Sequence, residues 1–416
     1  RNFSTEVPLF CQTRSINPDD DFIEVVAAKP LEIWWREWDA TLTEVDTPLL
    51  LSCPLTEPLF SSSVVSIVTQ PCDDPINAFS LDPVPQKTPK RKFTICVKDM
   101  NFAKIISTNI IEWIEINKIL GVDIIDMYID KISNETEEIL QYYRDKGFVR
   151  LFSVPIRNKR DRSLWQRRRD HIVTYNDCLY RNIMESEFII PLDVDEIILP
   201  KNAENLLELL QRLSNYGWDL SQHSAIMIRN VFFFDFMQGV ENYKKTTHMS
   251  KSKIYTKRDD VRIKDSENLD IGDIELVGDV DSISNEVIDT VKLALEKYKM
   301  RCGTELPIPK IGKHFMSSAM VSPIGSYTKS IMVTNKVLTA FNHYPLASLG
   351  AAGFAGWAAP FSEVQLNHYK ESCNSTVVAE CARYGRRARV DTSALHLYQR
   401  LTSVLANRFC TKINSN

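Results

Sequence analysis

The amino-acid sequence predicts an α/β protein in which a mixed, mostly parallel sheet is flanked by helices and preceded by a small β-rich module. Two observations carry this prediction. From about residue 90 onward, short apolar runs alternate with stretches of helical spacing, a pattern typical of a parallel sheet covered by helices. Before that point the chain is rich in β-branched and aromatic residues and is repeatedly broken by proline.

The N-terminal module is predicted at residues 22–80, where strand-like runs are interrupted by Pro54, Pro58, Pro71 and Pro75. Residues 82–90 combine three prolines with charged side chains, which is the composition of a linker. We therefore place a domain boundary near residue 90.

Seven elements of alternating type are predicted after this boundary. The strands fall at 93–97, 123–129, 148–154 and 188–190, and the helices at 105–120, 135–146 and 163–184. A leucine-rich helix at 206–213, a single apolar strand at 225–234 and an amphipathic helix at 286–298 follow. The intervening residues 239–285 are strongly hydrophilic and are predicted to form a long surface loop or insertion. The expected organisation is a stem and β-rich module at 1–90, a catalytic domain at 91–385 and a helical extension at 386–416.

The charge balance argues against a nucleic-acid-binding protein. The chain has 50 basic and 54 acidic residues, a net charge of -4 and a pI near 6.1, whereas nucleic-acid-binding domains carry an excess of positive charge. No apolar run reaches the roughly 18 residues needed to cross a bilayer. We expect an ectodomain whose membrane anchor precedes these 416 residues.

The cysteines and glycosylation sequons favour an oxidising, lumenal compartment. Acceptor sequons begin at Asn2, Asn134 and Asn374, and the nine cysteines show no CxxC spacing, so dispersed disulfides are favoured over zinc binding. An odd number of cysteines leaves at least one thiol unpaired. We predict that this thiol is Cys178, because its apolar helical neighbours suggest a small buried side chain. The pairing of the other cysteines stays open.

The acidic turn after the strand at 188–190 is the strongest functional signal. Asp193 and Asp195 are separated by one residue, and ligands of open α/β sheets bind beyond the carboxyl ends of strands. Two carboxylates on a turn bind a hard divalent cation and leave positions open for phosphate oxygens. Residues 19–21 and 279–281 match the same DxD pattern, but they follow no buried strand. The pair at 193 and 195 therefore predicts a metal and diphosphate site.

Basic and histidine residues supply further candidates for this site. Arg157 and Arg160 belong to a basic segment upstream of the acidic turn, and guanidinium groups complement a diphosphate, although most such runs are solvated faces. Two histidines, His343 and His368, each stand between asparagine and tyrosine. Either one could complete a metal site with the two carboxylates.

Several motifs together resemble glycosyltransferase family 92. They are Thr94-Ile95-Cys96-Val97-Lys98, Gly121-Val122-Asp123, Gln166, Asn176-Asp177-Cys178-Leu179-Tyr180-Arg181, Pro191-Leu192-Asp193-Val194-Asp195-Glu196-Ile197-Ile198-Leu199-Pro200 and Asn367-His368-Tyr369-Lys370. The resemblance runs from about residue 91 to 385. It implies a GT-A-like fold and an inverting, Mn²⁺-dependent Golgi enzyme of type II topology that transfers galactose from UDP-galactose to a glycan. The resemblance implies a β1,4 linkage to an oligosaccharide or to the core fucose of an N-glycan. The oligomeric state stays open.

The same resemblance assigns residues to the donor and metal sites. It implies donor contacts from Cys96, Lys98, Gln166, Asn176, Asp177, Asp193 and Val194. It also favours His368 over His343 as the third metal ligand, because the His-Tyr-basic motif falls at residues 368–370. Lys370 stands where the family commonly has arginine, which keeps the charge but loses the bidentate geometry.

Inverting transfer also requires a base that removes the proton from the acceptor hydroxyl. Asp235, directly after an aromatic strand, is our candidate, with Glu241 and Glu363 as alternatives. Two other functions compete with this interpretation. A glycan-binding ectodomain without activity would not need the two aspartates and a histidine, and a phosphotransferase would be expected to have a glycine-rich phosphate loop, which this chain lacks.

Overall fold

A computed structural model describes residues 8–17, 19, 21–34, 46–56, 62–81, 90–102, 104–154, 163–238, 275–277, 309–349, 356–371 and 383–413. Several sequence predictions fall outside these ranges. They concern the linker at 82–89, Arg157 and Arg160, Glu241, the hydrophilic stretch apart from 275–277, the helix at 286–298, and the sequons at Asn2 and Asn374. The third sequon asparagine, Asn134, is exposed.

The N-terminal module consists of short antiparallel strands. They are β1 (Phe10–Ser15), β2 (Ile23–Ala27), β3 (Lys29–Glu32), β4 (Leu49–Ser52), β5 (Ser63–Val68) and β6 (Phe79–Leu81). Four of them form a sheet in the order β2-β1-β5-β6, while β3 and β4 pair separately. A disulfide between Cys11 and Cys53 links β1 to the residue after β4. The predicted β-rich N-terminal region is confirmed.

The larger part of the chain alternates strands with helices. Its first elements are β7 (Arg91–Asn101), α1 (Ser107–Ile119), β8 (Ile124–Lys131), α2 (Asn134–Asp145), β9 (Val149–Ser153), α3 (Leu164–Asn182), β10 (Ser186–Pro191), β11 (Glu196–Pro200), α4 (Leu206–Ser214), β12 (Ala225–Ile228) and β13 (Asn230–Phe234). The later ones are β14 (Glu275–Leu276), β15 (Met316–Ser318), β16 (Lys329–Val333), β17 (Val337–Thr339), β18 (Ala347–Ser348), β19 (Gly356–Ala358), β20 (Val364–Lys370), β21 (Arg387–Val390) and α5 (Leu395–Ile413).

The central sheet has seven strands in the order β19-β12-β16-β10-β7-β8-β9. Strands β10, β7, β8 and β9 are parallel neighbours, and β16 runs antiparallel to both β10 and β12. The strands are almost wholly apolar because helices cover the sheet, and α1 is buried along most of its length. The predicted α/β class with a mostly parallel sheet is confirmed. Its topology brings the carboxyl ends of β7 and β10 to one edge.

A second, three-stranded sheet stands beside the first, in the order β11-β20-β13. It explains why the single strand predicted at 225–234 is wrong. The chain leaves the central sheet at Arg229, and Asn230 then exchanges backbone and side-chain hydrogen bonds with Ser322. The polar pair Arg229 and Asn230 interrupts the apolar run at this point and was the available signal. The residues on either side are apolar because both strands are buried, so apolar character alone does not separate the two strands.

The N-terminal module contacts helix α3. Trp34 is buried, and the guanidinium carbon of Arg169 lies 4.9 Å from the centroid of its ring. Trp34 also packs with Ile172, and the backbone N–H of Asp46 donates to Gln166 Oε1 at 2.9 Å. The module is thus attached to the helix that flanks the central strand β7.

The prediction that Cys178 is the unpaired thiol is wrong. Cys178 is buried as expected, but it forms a disulfide with Cys96, which joins α3 to β7. The neighbours that suggested a small hydrophobe are equally compatible with a buried disulfide. Among the described cysteine side chains, the free thiol is Cys72, which is exposed.

We expect replacement of Cys96 and Cys178 by alanine to lower the free energy of unfolding by about 2–4 kcal/mol, since the bond closes a long loop in the unfolded chain. The two residues are 82 positions apart. Urea unfolding of the double variant measures the loss, with Cys72→Ala as the control that should leave the midpoint unchanged. An unchanged midpoint in the double variant would show that this disulfide does not stabilise the fold.

Candidate active site

The acidic turn lies between β10 and β11 at the edge where β7 also ends. Three hydrogen bonds fix its shape. The backbone N–H of Asp193 donates to Glu196 Oε2 at 3.0 Å, and that of Glu196 donates to the Asp193 carbonyl at 3.0 Å. The Asp195 carbonyl accepts from the N–H of Tyr369 at 2.8 Å, which ties the turn to β20. The two aspartates are therefore presented by a rigid turn.

The carboxylate of Asp193 is held by two lysines. Lys98 Nζ, at the end of β7, lies 2.9 Å from it, and Lys329 Nζ, on β16, lies 3.2 Å from Oδ2. Burial disfavours the charged form of Asp193, but these two ammonium groups outweigh it and hold the pKa of Asp193 well below its ordinary value. Asp193 is thus ionised at neutral pH.

Asp195 is more exposed and pairs with a histidine. His368 Nε2 on β20 lies 3.4 Å from Asp195 Oδ2, and His368 Nδ1 lies 3.4 Å from Glu196 Oε1. Partial burial disfavours the charged form of Asp195, yet the imidazole of His368 and the more distant Lys370 ammonium keep its pKa below the ordinary value. The register of β11 and β20 places Glu196 opposite His368, so the contact follows from strand pairing.

Lys329 is the functional residue that our sequence analysis missed. Its side chain is only 1% exposed, and its Nζ also lies 3.1 Å from Glu196 Oε2 and donates to Asn342 Oδ1. The hydroxyl of Tyr175 on α3 donates to the same Asn342 oxygen at 3.0 Å. A lysine two residues before the apolar run 331–333 is the only sequence feature that marks it, since a charge that is buried with such a run requires partners.

A cavity of about 470 Å³ opens beside the turn, between the end of β7 and helix α1. One wall is apolar and includes Met100, Phe102, Ile110 and Trp113. The lining also carries four lysines and five carboxylates: Lys98, Lys104, Lys310 and Lys370, and Asp99, Glu112, Asp193, Asp195 and Glu371. Lys98 and Lys104 are paired with Asp193 and Glu371. Apolar side chains next to lysine side chains suit a ligand that has a flat ring at one end and phosphates at the other.

A histidine–aspartate pair stands behind the cavity wall. Asp99, the residue after Lys98, belongs to the cavity lining, but its side chain is 1% exposed and accepts from His171 Nε2–H on α3 at 2.5 Å. Burial lowers the pKa of His171 and outweighs the opposing effect of Asp99. Arg167 Nε lies 3.5 Å from the same carboxylate. Helix α3 therefore fixes the acid next to Lys98.

The predicted donor-binding residues separate into two groups. Lys98, Asp193 and Val194 line the cavity, as do the predicted metal ligands Asp195 and His368. Cys96 is bound in the disulfide, and both ends of the Gln166 amide are used, by Asp46 and by Asp170. Cys96 and Gln166 therefore form structural contacts and do not line the cavity.

The Asn-Asp pair at 176–177 also lies away from the cavity. The Asn176 amide donates to the Ala340 carbonyl at 3.0 Å and accepts from its N–H at 2.9 Å, so it holds the segment that carries Asn342. Asp177 accepts from Tyr128 and Arg181. In this structure both residues serve the scaffold of the site.

The two histidine candidates differ in their surroundings. His368 touches two carboxylates, as described above. His343 is partly buried and its Nδ1–H donates to the Thr328 carbonyl at 2.8 Å. Burial, together with the Lys329 and Lys98 cations, lowers the pKa of His343 to about 4, so it is neutral.

The base candidates are also distinguishable. Asp235 begins a 3₁₀ turn after β13 and its side chain is 44% exposed. Its carboxylate accepts from His314 Nε2–H at 2.8 Å. Partial burial disfavours the charged form of Asp235, but this hydrogen bond keeps its pKa below the ordinary value. Glu363 is buried in an ion pair with Arg212 at 2.8 Å. It precedes β20, five residues before His368, which places it about 16 Å away along the strand. Asp235 is thus the better placed of these two.

The donor set fits a divalent cation in part. Within the described residues, no three His, Cys, Asp or Glu side chains are already gathered around one metal position. Asp195 and His368, however, have donor atoms 3.4 Å apart. Two ligands at right angles and about 2.1 Å from one ion lie about 3 Å apart, so this pair is close to the required spacing. Asp193, the remaining candidate, is paired with the two lysines.

Two observations bear on the compartment. The described disulfides, Cys11–Cys53 and Cys96–Cys178, are typical of a secretory-pathway lumen. None of the helices in the described part of the chain has the length and apolar character of a membrane span.

Comparison with known proteins agrees with this geometry. The family model for glycosyltransferase family 92 matches residues 91–403, from the start of β7 into helix α5. No curated protein matches the chain. The matched segment spans more than half of the 416 residues and includes the acidic turn, Lys329 and His368. The chain therefore belongs to glycosyltransferase family 92.

Proposed function

We propose that this glycosyltransferase is an inverting, Mn²⁺-dependent galactosyltransferase of the Golgi lumen that uses UDP-galactose. The observation that carries the proposal is the Asp195–His368 pair at the mouth of a cavity whose lining carries four lysines. The family supplies the sugar-transfer chemistry. The choice of galactose and of a β1,4 linkage to a glycan, such as the core fucose of an N-glycan, rests on the resemblance of the motifs.

Different sides of the cavity would bind different parts of the UDP-sugar donor. The apolar wall formed by α1 and residues 100–102 would hold the nucleobase of UDP, and the four lysines of the lining would face the diphosphate. Lys98 has the most direct role, because it lies at the end of β7 and already contacts an anionic group, the Asp193 carboxylate. A diphosphate oxygen would compete for the same ammonium group.

Asp195 and His368 are the residues that would hold the metal, with Asp193 as the third candidate. A bound divalent cation would supply charge stabilisation for the UDP leaving group. Glu196 Oε1 and the Asn230 amide nitrogen each lie 3.4 Å from His368 Nδ1, and these two contacts leave Nε2 directed at Asp195. The acidic turn and strand β20 thus hold the two candidate metal ligands, Asp195 and His368, next to each other.

The acceptor hydroxyl must lose a proton as it attacks the anomeric carbon. Asp235 is our proposed base. It is ionised, partly exposed and fixed by His314, and its strand β13 lies next to β20, with Phe234 opposite Lys370. Lys370 lines the cavity, which connects Asp235 to the donor side.

The direct test is a screen of UDP-sugars for Mn²⁺-dependent hydrolysis, followed by transfer to glycan acceptors with the preferred donor. We expect UDP-galactose to be preferred and chelation to abolish both activities. Hydrolysis of another UDP-sugar would change the donor assignment, while donor binding without turnover would favour the alternative of an inactive glycan-binding ectodomain.

We expect His368→Ala to raise the Mn²⁺ concentration needed for half-maximal activity by about 10- to 100-fold, the range typical of weakened metal sites. The matched control is His343→Ala, which removes a neutral imidazole bound to a backbone carbonyl and should leave the metal requirement nearly unchanged. Titrating Mn²⁺ against activity for both variants decides between them. The reverse result would transfer the ligand role to His343.

A further inference from the structure

A cluster of cations surrounds one phenyl ring at the other end of the second sheet. Lys201 Nζ lies 3.5 Å from the centroid of the Phe361 ring, and the guanidinium carbons of Arg229 and Arg389 lie 5.3 Å and 5.2 Å from it. All four side chains are partly exposed. We name these residues the Phe361 cluster.

Backbone pairing brings the cluster together. The N–H of Lys201 donates to the Glu363 carbonyl at 2.8 Å, and the carbonyl of Arg229 accepts from the N–H of Leu366 at 2.9 Å. Arg389 lies on β21, opposite Ser317. Val364, at the start of β20, is four residues from His368, so the cluster is separated from the candidate metal ligands by about 13 Å or more of strand.

The positive charge of the cluster is only partly compensated, because one carboxylate, Asp391, pairs with one of the three cations. Among the described residues, the Lys201 and Arg229 side chains form no hydrogen bond or ion pair. Arg389 does have partners: its Nη2 lies 3.8 Å from Asp391 Oδ2, and its Nε donates to Ser317 Oγ at 3.3 Å. Asp391 also accepts from Gln365 and Ser393. Partial burial and the two guanidinium groups lower the pKa of Lys201 to about 8, against the opposing effect of Asp391.

Three neighbouring cations with one carboxylate favour the binding of an anion. Like charges repel, and cation–π contacts at partly exposed sites contribute only about 0.5–1 kcal/mol each. Two guanidinium forks and one ammonium group offer many donors and no acceptor, a set that matches a sulfate, phosphate or carboxylate group.

We propose that Lys201, Arg229 and Arg389 form an oxyanion-binding site, distinct from the donor cavity, that takes a sulfate, phosphate or carboxylate group, either free or carried on a sugar. The anion would neutralise the mutual repulsion of the three cations, with Phe361 holding them in place. Binding would also raise the pKa of Lys201, because an anion favours the charged amine.

The test is calorimetric titration of the protein with sodium sulfate and, separately, with glucuronic acid, in the presence of UDP to fill the donor cavity. We expect saturable binding that weakens by about tenfold or more in Arg229→Gln and in Arg389→Gln, the loss expected for one charge-assisted hydrogen bond. Binding should also weaken between pH 7 and pH 9, as Lys201 loses its proton. Arg144→Gln removes the same charge from helix α2 and should bind like wild type.

The two probes distinguish the source of the ligand. Tighter binding of glucuronic acid assigns the site to acidic sugars, and tighter binding of sulfate assigns it to free tetrahedral anions. No saturable binding of either probe, or equal binding by Arg229→Gln, Arg389→Gln and wild type, would overturn the proposal. If the cations serve only to pack on Phe361, both variants should lose thermal stability and bind sulfate unchanged. Anion binding by these variants tests the Phe361 cluster even if the proposed sugar donor is wrong.

Discussion

Asp195→Asn is expected to reduce sugar transfer by about two to three orders of magnitude, because a metal ligand supplies several kcal/mol of transition-state stabilisation. The substitution keeps the shape of the side chain but removes the negative charge that faces His368. The fold should not suffer, since Asp195 is 43% exposed and its backbone carbonyl, rather than its side chain, binds Tyr369.

Steady-state kinetics at several Mn²⁺ concentrations, together with thermal unfolding, measure both effects. Asp145→Asn is the matched control, because it neutralises an exposed carboxylate on α2 without approaching the cavity. Near-normal turnover of Asp195→Asn at saturating Mn²⁺ would remove Asp195 from the metal site. A large drop in thermal stability would instead indicate that the turn depends on this charge.

The sequence predicted the fold class well because burial patterns are local. The strands around 93–97 and 188–190 are short apolar runs between helices, and the structure has β7 and β10 at these positions. The acidic turn was found for the same reason, since Asp193 and Asp195 directly follow the apolar run that forms β10. The break at Arg229 was missed, because both strands around it are fully buried and only the polar pair Arg229 and Asn230 marks it in the sequence.

The site itself was only partly predictable, because its polar contacts join residues that are distant in sequence. Lys329 meets Asp193 across 136 positions, and Asn176 binds Ala340 across 164. Motif resemblance marked Asn176 as a ligand-binding residue, but such a motif does not distinguish a residue that touches substrate from one that holds a loop. The Phe361 cluster left no sequence signal, since its members come from four separate segments.

The largest effect on stability is expected from Lys329→Met. Met is close to lysine in volume, so the change chiefly removes the ammonium group that lies 3.2 Å from Asp193 and 3.1 Å from Glu196. Breaking a buried ion pair on one side typically costs about 3–5 kcal/mol, since the partner carboxylates stay buried without their cation. Lys92→Met is the matched control. Its pair with Glu187 is more than one-third exposed, so its loss should cost about 1 kcal/mol or less.

The pH dependence of Lys329→Met identifies the origin of this loss. In the wild type the pKa of Asp193 is held low, so its stabilising contribution is present above the ordinary aspartate pKa and is lost as the pH falls through the lowered value. In the variant, burial with one cation fewer raises the pKa of Asp193, and its protonation in acid relieves the uncompensated charge. The destabilisation measured by urea unfolding should therefore be largest near pH 7 and shrink toward pH 4. Adding Glu196→Gln to the variant should recover part of the loss at pH 7. A destabilisation that is independent of pH and unchanged by Glu196→Gln would mean that Lys329 acts through packing rather than through its charge.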